Sequence, residues 1–434
     1  MKILLLHPPI DHELPPYYWS ESLGIGYLAS SLRLDGHDVD VFDAQIMGLK
    51  PEEMLAQLLK RDFDCLGISA THDHKSVLMS TVRAVRKARK DAIITAGGYL
   101  PTLSADKLFD ILPELDFVVR GEGETSVRDV FGRIARSERW QDAQGVAFLQ
   151  DGKTVCNPVP PTIRDLDSLP FPARDALASS PRKAWARIAG SRGCYHRCSF
   201  CCIRKFYDES GAGAPRFRSA ENVVDEMEQV IAQTGVREFR FIDDDFIGPG
   251  EKNRQRVLRF AQQLEERKLN ATFAIECRAD EIHEDLLKSL KEVGLIEVFV
   301  GLESAVQRQL DTYNKRVTVE QNRNAIEAVR RCGINLRSGF IAFDPYVTIP
   351  ELIKNMMFIS ETKIDDESTK IAEVPMITKV KLYPGVPLIE TVRKDGLLQE
   401  NGIEVDYKFK HLSVRLLTAI SRALIWAKTR GRSN

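Results

Sequence analysis

Short apolar runs alternate with amphipathic segments through most of this chain. Among the first 150 residues, runs at 2–6, 38–42, 65–70, 92–96 and 116–119 are each short enough for one strand. The segments between them carry apolar residues at helical spacing. This alternation predicts an α/β fold with a doubly wound, Rossmann-like parallel sheet that binds ligands at the carboxyl ends of its strands. No Gly-x-Gly-x-x-Gly sequence opens the first helix, which argues against a nicotinamide site.

Prolines concentrate in two short stretches, Asn157–Pro161 and Leu169–Pro172. Because proline suits neither a central strand nor a helix interior, this region is typical of a linker. We therefore predict a first domain over 1–156, a linker over 157–182, a second domain over 183–402 and a short helical tail over 403–434.

Strand–helix alternation resumes after the linker with a longer period. Strand candidates lie at 185–191, 238–242, 271–277, 296–301, 335–341 and 371–382, with helices between them. Six β/α units are enough for a partial (βα)6 TIM-type barrel. The working face of such a barrel is the carboxyl end of its strands.

The charge balance excludes several classes of partner. Lysine and arginine number 61 against 62 acidic residues, for a net charge of −1. The chain as a whole therefore has no electrostatic attraction for nucleic acid, and we expect no nucleic-acid partner. No apolar run is long enough to span a membrane, and the first residues do not resemble a signal peptide, so we expect a cytoplasmic protein.

Three of the eight cysteines, Cys194, Cys198 and Cys201, form a C-x3-C-x2-C motif. Chance would produce this spacing about 0.003 times per chain at this cysteine content. Three thiolates without a fourth at motif spacing favour an iron–sulfur cluster with one open iron. Zinc completed by His196 or Cys202 is the alternative. We expect packing roles for the other cysteines outside the motif: Cys65, Cys156, Cys202, Cys277 and Cys332.

The cysteine motif, with an aromatic residue before its last cysteine, resembles the radical S-adenosylmethionine (SAM) superfamily. That resemblance implies a partial (βα)6 barrel in which Cys194, Cys198 and Cys201 bind three irons of a four-iron four-sulfur cluster. It also implies that SAM chelates the fourth iron and, when reduced, yields a 5′-deoxyadenosyl radical that takes hydrogen from the substrate. An electron donor such as flavodoxin or ferredoxin is an implied partner.

Several strand ends of the second domain also resemble this superfamily. They include 241–246 (Phe-Ile-Asp-Asp-Asp-Phe) and 301–304 (Gly-Leu-Glu-Ser). Lys315 matches the family pattern too, whereas Phe343-Asp344 stands where relatives carry a glycine. The resemblance implies that the SAM contacts are Phe200 beside the adenine, Asp243 and Asp244 near the amine, Arg278 for the carboxylate, Glu303 for the ribose or methionine, and the backbone of Phe340 and Ile341.

The first domain resembles the cobalamin-binding domain that precedes many radical SAM barrels. The similar segments include 97–102, 119–125 and the linker phrase 167–172. Glycines in loops after strands permit close approach of the backbone to a bulky ligand. The implied cobalamin contacts are Thr71, His72 and Asp73; Gly97, Gly98 and Tyr99; and Gly121, Glu122 and Gly123. The alternative is that these loops are tight turns of a domain without a cofactor.

We expect the loop histidines of the first domain to have no role as cobalt ligands. Asp35-Gly36-His37 begins a cobalt-ligand motif, but Asp40 stands where that motif needs glycine, so we interpret His37 as a turn residue. His72 and His74 flank Asp73 on one loop, and we expect both side chains to be solvated. The alternative is that they face cobalt or the substrate.

The combined resemblance implies a cobalamin-dependent radical SAM methyltransferase acting on an unactivated carbon, or a phosphinate, of a small-molecule, natural-product or lipid substrate. Cyclisation, ring contraction or rearrangement without methyl transfer is the alternative chemistry, and a cobalamin-binding sensor is the alternative without catalysis. No second three-cysteine set exists, which argues against a methylthiotransferase. The carboxyl tail is apolar on one face and basic beyond it; we expect it to pack on the barrel, with weak contact to a membrane surface as the alternative.

Overall fold

The computed structural model describes residues 1–10, 20–182, 184–364 and 378–420. It forms two compact units. The first comprises Met1–Tyr195, Ile203–Glu276 and Lys288–Ile296. The second comprises His196–Cys202, Cys277–Leu287 and Glu297–Asn434. Within the described residues, no helix is both long and apolar enough to cross a bilayer.

A seven-stranded sheet forms the amino-terminal part of the first unit. Its strands are β1 (Lys2–His7), β2 (Asp38–Asp43), β3 (Cys65–Ser69), β4 (Ile93–Gly97), β5 (Phe117–Val119), β6 (Val146–Gln150) and β7 (Lys153–Cys156). Their order is β2-β1-β3-β4-β5-β6-β7, and β1 to β5 are parallel. The helices are α1 (Leu23–Leu34), α2 (Pro51–Leu58), α3 (Lys75–Ala88), α4 (Tyr99–Leu103), α5 (Ala105–Ile111) and α6 (Gly123–Ala135). The predicted doubly wound domain is confirmed.

The antiparallel hairpin of β6 and β7 is not part of the predicted strand–helix repeat. Its turn is Asp151-Gly152, and both residues have positive φ, at 50° and 74°. Asp-Gly favours the tight turn whose twist matches that of a β-hairpin. The hairpin therefore extends the parallel sheet with an antiparallel edge.

The same unit continues into the second predicted domain. The strands are β8 (Ala186–Ile188), β9 (Ser191–Arg192), β10 (Arg216–Phe217), β11 (Glu238–Phe241) and β12 (Thr272–Arg278). The helices are α7 (Asp175–Ala178), α8 (Cys202–Asp208), α9 (Ala220–Thr234), α10 (Glu251–Arg267) and α11 (Glu284–Glu292). The last two residues of β12, the first residue of α8 and the first four residues of α11 belong to the second unit. Strands β8, β11 and β12 pair in parallel, as a barrel requires. Ser219 accepts a hydrogen bond from the Asn222 amide and caps α9.

The second unit contains the later β/α repeats. Its strands include β13 (Leu295–Glu303) and β14 (Asn335–Phe340), which pair in parallel with a bulge between Gly301 and Glu303. The helices are α12 (Gln307–Thr312), α13 (Val319–Arg331), α14 (Ile349–Thr362) and α15 (Pro387–Lys394). Five of the six predicted barrel strands are thus present. Most of the sixth, at 371–382, lies outside the described residues.

The predicted start of the helical tail at residue 403 is wrong. A hairpin of β15 (Leu398–Asn401) and β16 (Glu404–Tyr407) occupies this region, and the helix begins only at 412 and is described as far as 420. The turn is Asn401-Gly402, a strong local hairpin signal, with Gly402 at φ 61°. Residues 421–434 of the predicted tail lie outside the described part of the chain.

Candidate active site

A cavity opens at the carboxyl ends of β3, β4 and β5 in the first unit. Six of the nine predicted cobalamin contacts line it: Gly97, Gly98, Tyr99, Gly121, Glu122 and Gly123. Thr71, His72 and Asp73 are not among its lining residues. The glycine loops after β4 and β5 therefore meet at one cavity, whose wall does not include residues 71–73.

Two of these glycines have backbone conformations that L side chains rarely adopt. Gly98 has φ 99°, and a Cβ there would lie 2.8 Å from the carbonyl oxygen of Ala70. Gly121 has φ 70°, and a Cβ there would lie 2.9 Å from Cγ1 of Val159. Glycine is therefore required at both turns, which explains part of the signal that the sequence shows.

Residues that follow β8 and β11 also line this cavity. Ser191 and Arg192 precede the cysteine motif, and Ile242 and Asp244 follow β11. Burial raises the pKa of Asp244 to about 7, with the nearby charge of Asp243 as a further cause. The amide of Gly193 donates a hydrogen bond of 3.1 Å to Oδ2 of Asp244. The cavity therefore has a carboxyl group that is partly protonated at neutral pH.

Arg192 joins the glycine loop after β5 to the strand before the cysteine motif. Its Nη1 lies 2.9 Å from Oε1 of Glu122, and its Nη2 lies 2.6 Å from Oε1 of Glu124. Arg216 donates a further hydrogen bond of 2.8 Å to Oε1 of Glu122. Burial opposes ionisation of Glu124, but the charge and hydrogen bond of Arg192, together with the charge of Arg216, lower the pKa of Glu124 overall. These ion pairs were not predicted, because the residues lie far apart in the sequence.

Asp243, a predicted SAM contact, is fully buried and holds the backbone that follows β8. It accepts hydrogen bonds from the amide of Gly190 and the hydroxyl of Ser191. Burial raises the pKa of Asp243, and these hydrogen bonds act in the opposite direction. Asp243 is not among the cavity's lining residues, whereas its neighbour Asp244 is. The two adjacent carboxylates thus have different environments.

The three motif cysteines lie between β9 and α8, and all three are partly exposed thiols without disulfides. In the second unit, the amide of Cys201 donates to the carbonyl of Cys198, which makes a turn. Burial raises the pKa of the Cys198 thiol, while the charges of Lys315 and Arg278 lower it. Nη1 of Arg278 lies 4.0 Å from Sγ of Cys198. Accessible thiols beside fixed cations suit an anionic, thiolate-ligated iron–sulfur cluster.

Glu303, at the end of β13, pairs with Lys315 in the same unit. Nζ of Lys315 lies 3.0 Å from Oε1 of Glu303, and Arg278 donates to the Lys315 carbonyl at 2.6 Å. A Cβ on Gly301 would lie 2.8 Å from both charged atoms, so glycine leaves the space that the pair occupies. Burial lowers the pKa of Lys315, but Glu303 and Cys198 outweigh it and raise that pKa. Lys315 is the residue that site prediction missed, although the Asn314-Lys315-Arg316 pattern pointed to it.

The remaining predicted SAM contacts lie in packed surroundings within the second unit. Phe200 meets Tyr313 edge-on at 5.4 Å between ring centroids and packs against the core of that unit. Phe340 is buried and stacks on Phe358 at 6.3 Å. The amide of Ile341 donates to the carbonyl of Glu303 at 2.7 Å. The structure therefore brings Ile341 and Glu303 together through their backbones.

The expectation that His74 is solvated is wrong. His74 is buried, and its Nδ1 lies 3.1 Å from the amide of Thr71, so the ring closes the loop after β3. Burial lowers the pKa of His74 to about 3, with the neighbouring His7 as a further cause. His7 in turn pairs with the buried Asp43 at 2.9 Å. This histidine cluster holds the ends of β1, β2 and β3 and is not part of the cavity lining.

Two domain families match the chain. The B12-binding domain matches residues 16–131, and the radical SAM superfamily matches residues 188–359. An uncharacterized methyltransferase of Pyrococcus horikoshii is 26% identical over 97% of this chain and 91% of its own length. The anaerobic magnesium-protoporphyrin IX monomethyl ester cyclase of Rubrivivax gelatinosus is 28% identical over 79% of this chain and 62% of the cyclase.

A solved structure supports the same fold. OxsB, described as a cobalamin-dependent S-adenosylmethionine radical enzyme with aqua-cobalamin and S-adenosylmethionine bound, matches with a TM-score of 0.78 at 22% identity. The match covers 94% of this chain and 64% of OxsB. This chain thus spans less than two thirds of both OxsB and the Rubrivivax cyclase. The order of the two matched domains is the predicted one.

These matches confirm the predicted cofactor set of a four-iron four-sulfur cluster, SAM and cobalamin. They also decide between cluster and zinc in favour of the cluster. The chain therefore carries a B12-binding domain followed by a radical SAM domain, and it is an enzyme of the radical SAM type.

Proposed function

We propose that this enzyme transfers a methyl group from SAM, by way of cobalamin, to an unactivated carbon or a phosphinate of a small-molecule, natural-product or lipid substrate. One observation carries the proposal: a single cavity has walls from the glycine loops after β4 and β5 and from the strand ends beside the cysteine motif. A methyl carrier and a radical source must reach the same substrate atom, and a shared cavity supplies that proximity.

The cysteine loop and the barrel strand ends have the chemistry to hold cluster and SAM. Cys194, Cys198 and Cys201 are the proposed cluster ligands, and when bound the cluster supplies the electron that activates SAM. Burial raises the pKa of the Cys198 thiol, and the positive charges of Lys315 and Arg278 beside it offset part of that effect. We propose that the SAM contacts are the seven predicted residues: Phe200, Asp243, Asp244, Arg278, Glu303, Phe340 and Ile341.

We propose that the residues lining the cavity bind cobalamin. Gly97, Gly98, Gly121 and Gly123 let the backbone approach cobalamin closely, with Tyr99 and Glu122 beside them. Asp244 faces the same space and can accept or donate a hydrogen bond at neutral pH. Apolar walls, including Ile242, exclude water from reactive species. We propose that the edge of the bound cofactor contacts Thr71, His72 and Asp73.

The relatives support two reaction classes. The Pyrococcus protein is named as a methyltransferase and aligns over nearly the full length of both chains, which favours methyl transfer. The Rubrivivax relative is named as a cyclase, so radical cyclisation or rearrangement without methyl transfer is the second candidate. The predicted domain bounds of 1–156, 157–182 and 183–402, a flavodoxin- or ferredoxin-type electron donor and a cytoplasmic location complete the proposal.

Methyl-labelled SAM separates the two classes. Anaerobically purified enzyme, loaded with iron, sulfide and cobalamin, is incubated with labelled SAM, a reductant and a small-molecule extract. Methyl transfer puts the label into a new low-mass product, and the Cys198→Ala variant gives none. Release of 5′-deoxyadenosine together with an unlabelled new product would establish the cyclase-type alternative instead.

A further inference from the structure

The cavity of the first unit extends from the strand ends into the layer between the sheet and two helices. Leu5, Gly67 and Thr95 line it, and each lies two residues before the end of its strand. They are paired in one row across β1, β3 and β4, so their side-chain positions lie on the same face of the sheet. Ile25 of α1 and Val127 of α6 share a core cluster with Leu5 and also line the cavity. We call the space between these five residues the inner cavity.

The hydroxyl of Thr95 is the polar side-chain group among these five residues. Thr95 is 4% exposed, and its Oγ1 has no hydrogen-bond partner within the part of the chain that the structure describes. Leaving a buried hydroxyl unsatisfied is costly, so buried hydroxyls are usually paired. Beside it, a Cβ on Gly67 would lie 3.8 Å from Cγ2 of Thr95 and 2.9 Å from Cδ2 of Leu5. An orphan hydroxyl thus faces a space that glycine keeps open, which points to a ligand with a hydrogen-bonding atom.

The chemistry of the inner cavity matches one part of cobalamin. The corrin ring is edged with amide side chains, and burying amides among apolar residues without hydrogen bonds is costly. The nucleotide tail ends in a dimethylbenzimidazole base, which is flat and mostly apolar. When this base does not ligate cobalt, its free ring nitrogen accepts a single hydrogen bond. One hydroxyl in an apolar space is the complement of such a base.

An adenine base, which replaces benzimidazole in some cobamides, fits the inner cavity poorly. Adenine adds an exocyclic amino group and further ring nitrogens, and each needs a hydrogen-bond partner. The side chains of Leu5, Ile25 and Val127 offer none. The hydroxyl of Ser69 also lines the cavity, but it lies at the end of β3, nearer the opening. Polar atoms of adenine in the inner cavity would therefore be buried without partners.

We propose that Thr95 determines which cobamide this enzyme accepts. Its hydroxyl donates a hydrogen bond to the free ring nitrogen of a benzimidazole base in the inner cavity, and the apolar wall discriminates against an adenine base. A binding site discriminates strongly when the wrong ligand leaves buried polar groups unpaired. The inference rests on the proposal that the cavity binds cobalamin, but it does not depend on whether a methyl group is transferred.

Binding of corrinoids to the full-length protein with its cluster assembled tests the proposal. The three probes are cobalamin, the cobamide with an adenine base, and cobinamide, which lacks the nucleotide. Quenching of tryptophan fluorescence gives the dissociation constant of each, and absorbance after gel filtration confirms that the corrinoid is retained. We expect cobalamin to bind at least about tenfold more tightly than the adenine cobamide.

Thr95→Val keeps the branched shape of the side chain and removes the hydroxyl. We expect it to weaken cobalamin binding about five- to tenfold and to leave cobinamide binding unchanged. The melting temperature of the cobalamin-free variant should equal or exceed that of wild type, because an orphan buried hydroxyl has been removed. A purely structural role would lower it instead. Thr95→Ser keeps the hydroxyl and should retain the preference for cobalamin.

Thr81→Val is the matched control. Thr81, on α3, is 1% exposed, and its Oγ1 also lacks a hydrogen-bond partner among the described residues. Thr81 is not one of the residues that line the cavity. The same substitution at this position should therefore leave the affinity for all three corrinoids at the wild-type value.

Three results would overturn the proposal: equal affinity of the wild type for cobalamin and the adenine cobamide, wild-type affinity for cobalamin in Thr95→Val, and an equal loss of cobalamin and cobinamide binding in that variant. Failure of the proposed function gives different results. A wild type that binds none of the three corrinoids would overturn the cavity as the cobalamin site and this inference with it. Selective binding of cobalamin together with an unlabelled product would refute methyl transfer and support the role of Thr95.

Discussion

Nζ of Lys315 lies 3.0 Å from Oε1 of Glu303, a residue whose own backbone has φ 62°. The bulge at the end of β13 turns Glu303 toward the lysine, and Gly301 leaves room for both side chains. The carbonyl of Lys315 also accepts from Arg278, which approaches Cys198. A single charged cluster in the second unit thus joins two strand ends to the cysteine loop.

Replacement of Lys315 by methionine should destabilise the enzyme. The change leaves the half-buried Glu303 without its partner, and breaking such a pair costs at most about 3–5 kcal/mol, the value for fully buried pairs. Urea unfolding followed by circular dichroism measures the loss. Lys354→Met, at an exposed position on α14, is the control and should change the free energy of unfolding by less than about 0.5 kcal/mol. Equal stability of the two variants would contradict the pairing.

Replacement of Cys198 by alanine should abolish cluster assembly. Two thiolates cannot replace three as ligands, so iron content and the visible absorption of the reconstituted protein should fall to background. Cys156→Ala removes a thiol at the end of β7 that is exposed, contrary to its expected packing role, and should leave both signals intact. A normal cluster signal in Cys198→Ala would refute the ligand assignment.

Replacement of Gly98 by alanine should destabilise the first unit and weaken cobalamin retention. The new Cβ would meet the Ala70 carbonyl at a residue with φ 99°, and such strain costs about 1–3 kcal/mol. Thermal unfolding and the cobalamin absorbance retained after gel filtration measure the two effects. Gly213→Ala, at a glycine with open space around it, should match wild type in both. A retained cobalamin signal in Gly98→Ala would remove the loop after β4 from the site.

The carboxyl of Asp244 should make stability depend on pH. Its pKa is raised to about 7 in the folded chain but is about 3.9 when unfolded. The unfolded chain therefore loses the proton first, and stability falls as pH rises from about 4 to 7, by at most about 4 kcal/mol, and then levels off. The Asp244→Asn variant should lack this loss of stability with rising pH, and it should be more stable than wild type at pH 8.

Urea unfolding at pH 5, 6, 7 and 8 measures how the free energy of unfolding depends on pH. Asp91→Asn, at an exposed position between α3 and β4, is the control and should keep the wild-type slope. An Asp244→Asn profile parallel to that of wild type would show that the carboxyl does not titrate in this range.

Local pattern predicted the elements far better than it predicted their contacts. Helix α1 runs from Leu23 to Leu34, as its periodicity predicts, because local spacing is enough to define one amphipathic helix. The turns Asp151-Gly152 and Asn401-Gly402 are typical of β-hairpins. Neither hairpin was predicted, because the interpretation followed the strand–helix repeat instead. The family resemblance identified the cysteine motif and the glycine loops as candidate site residues.

The contacts that define the site come from the tertiary fold. Arg192 and Glu122 are 70 residues apart, and neither lies in a pattern that predicts the other. Lys315 reaches Glu303 only because a bulge changes the direction of β13. The burial of His74 likewise depends on its place beside His7 at the ends of β1 and β3. Such pairings depend on strand order and register, which residue spacing does not encode.

The ion pairs of Arg192 have a consequence for two parts of the site. This guanidinium holds Glu122 and Glu124 of the loop after β5, and its backbone lies two residues before Cys194. The side chain of Arg192 contacts the wall of the cavity, and its backbone leads into the first cysteine. A single guanidinium thus links the space proposed for the bulky cofactor to the segment proposed for the metal cluster, and we expect a change at Arg192 to disturb both.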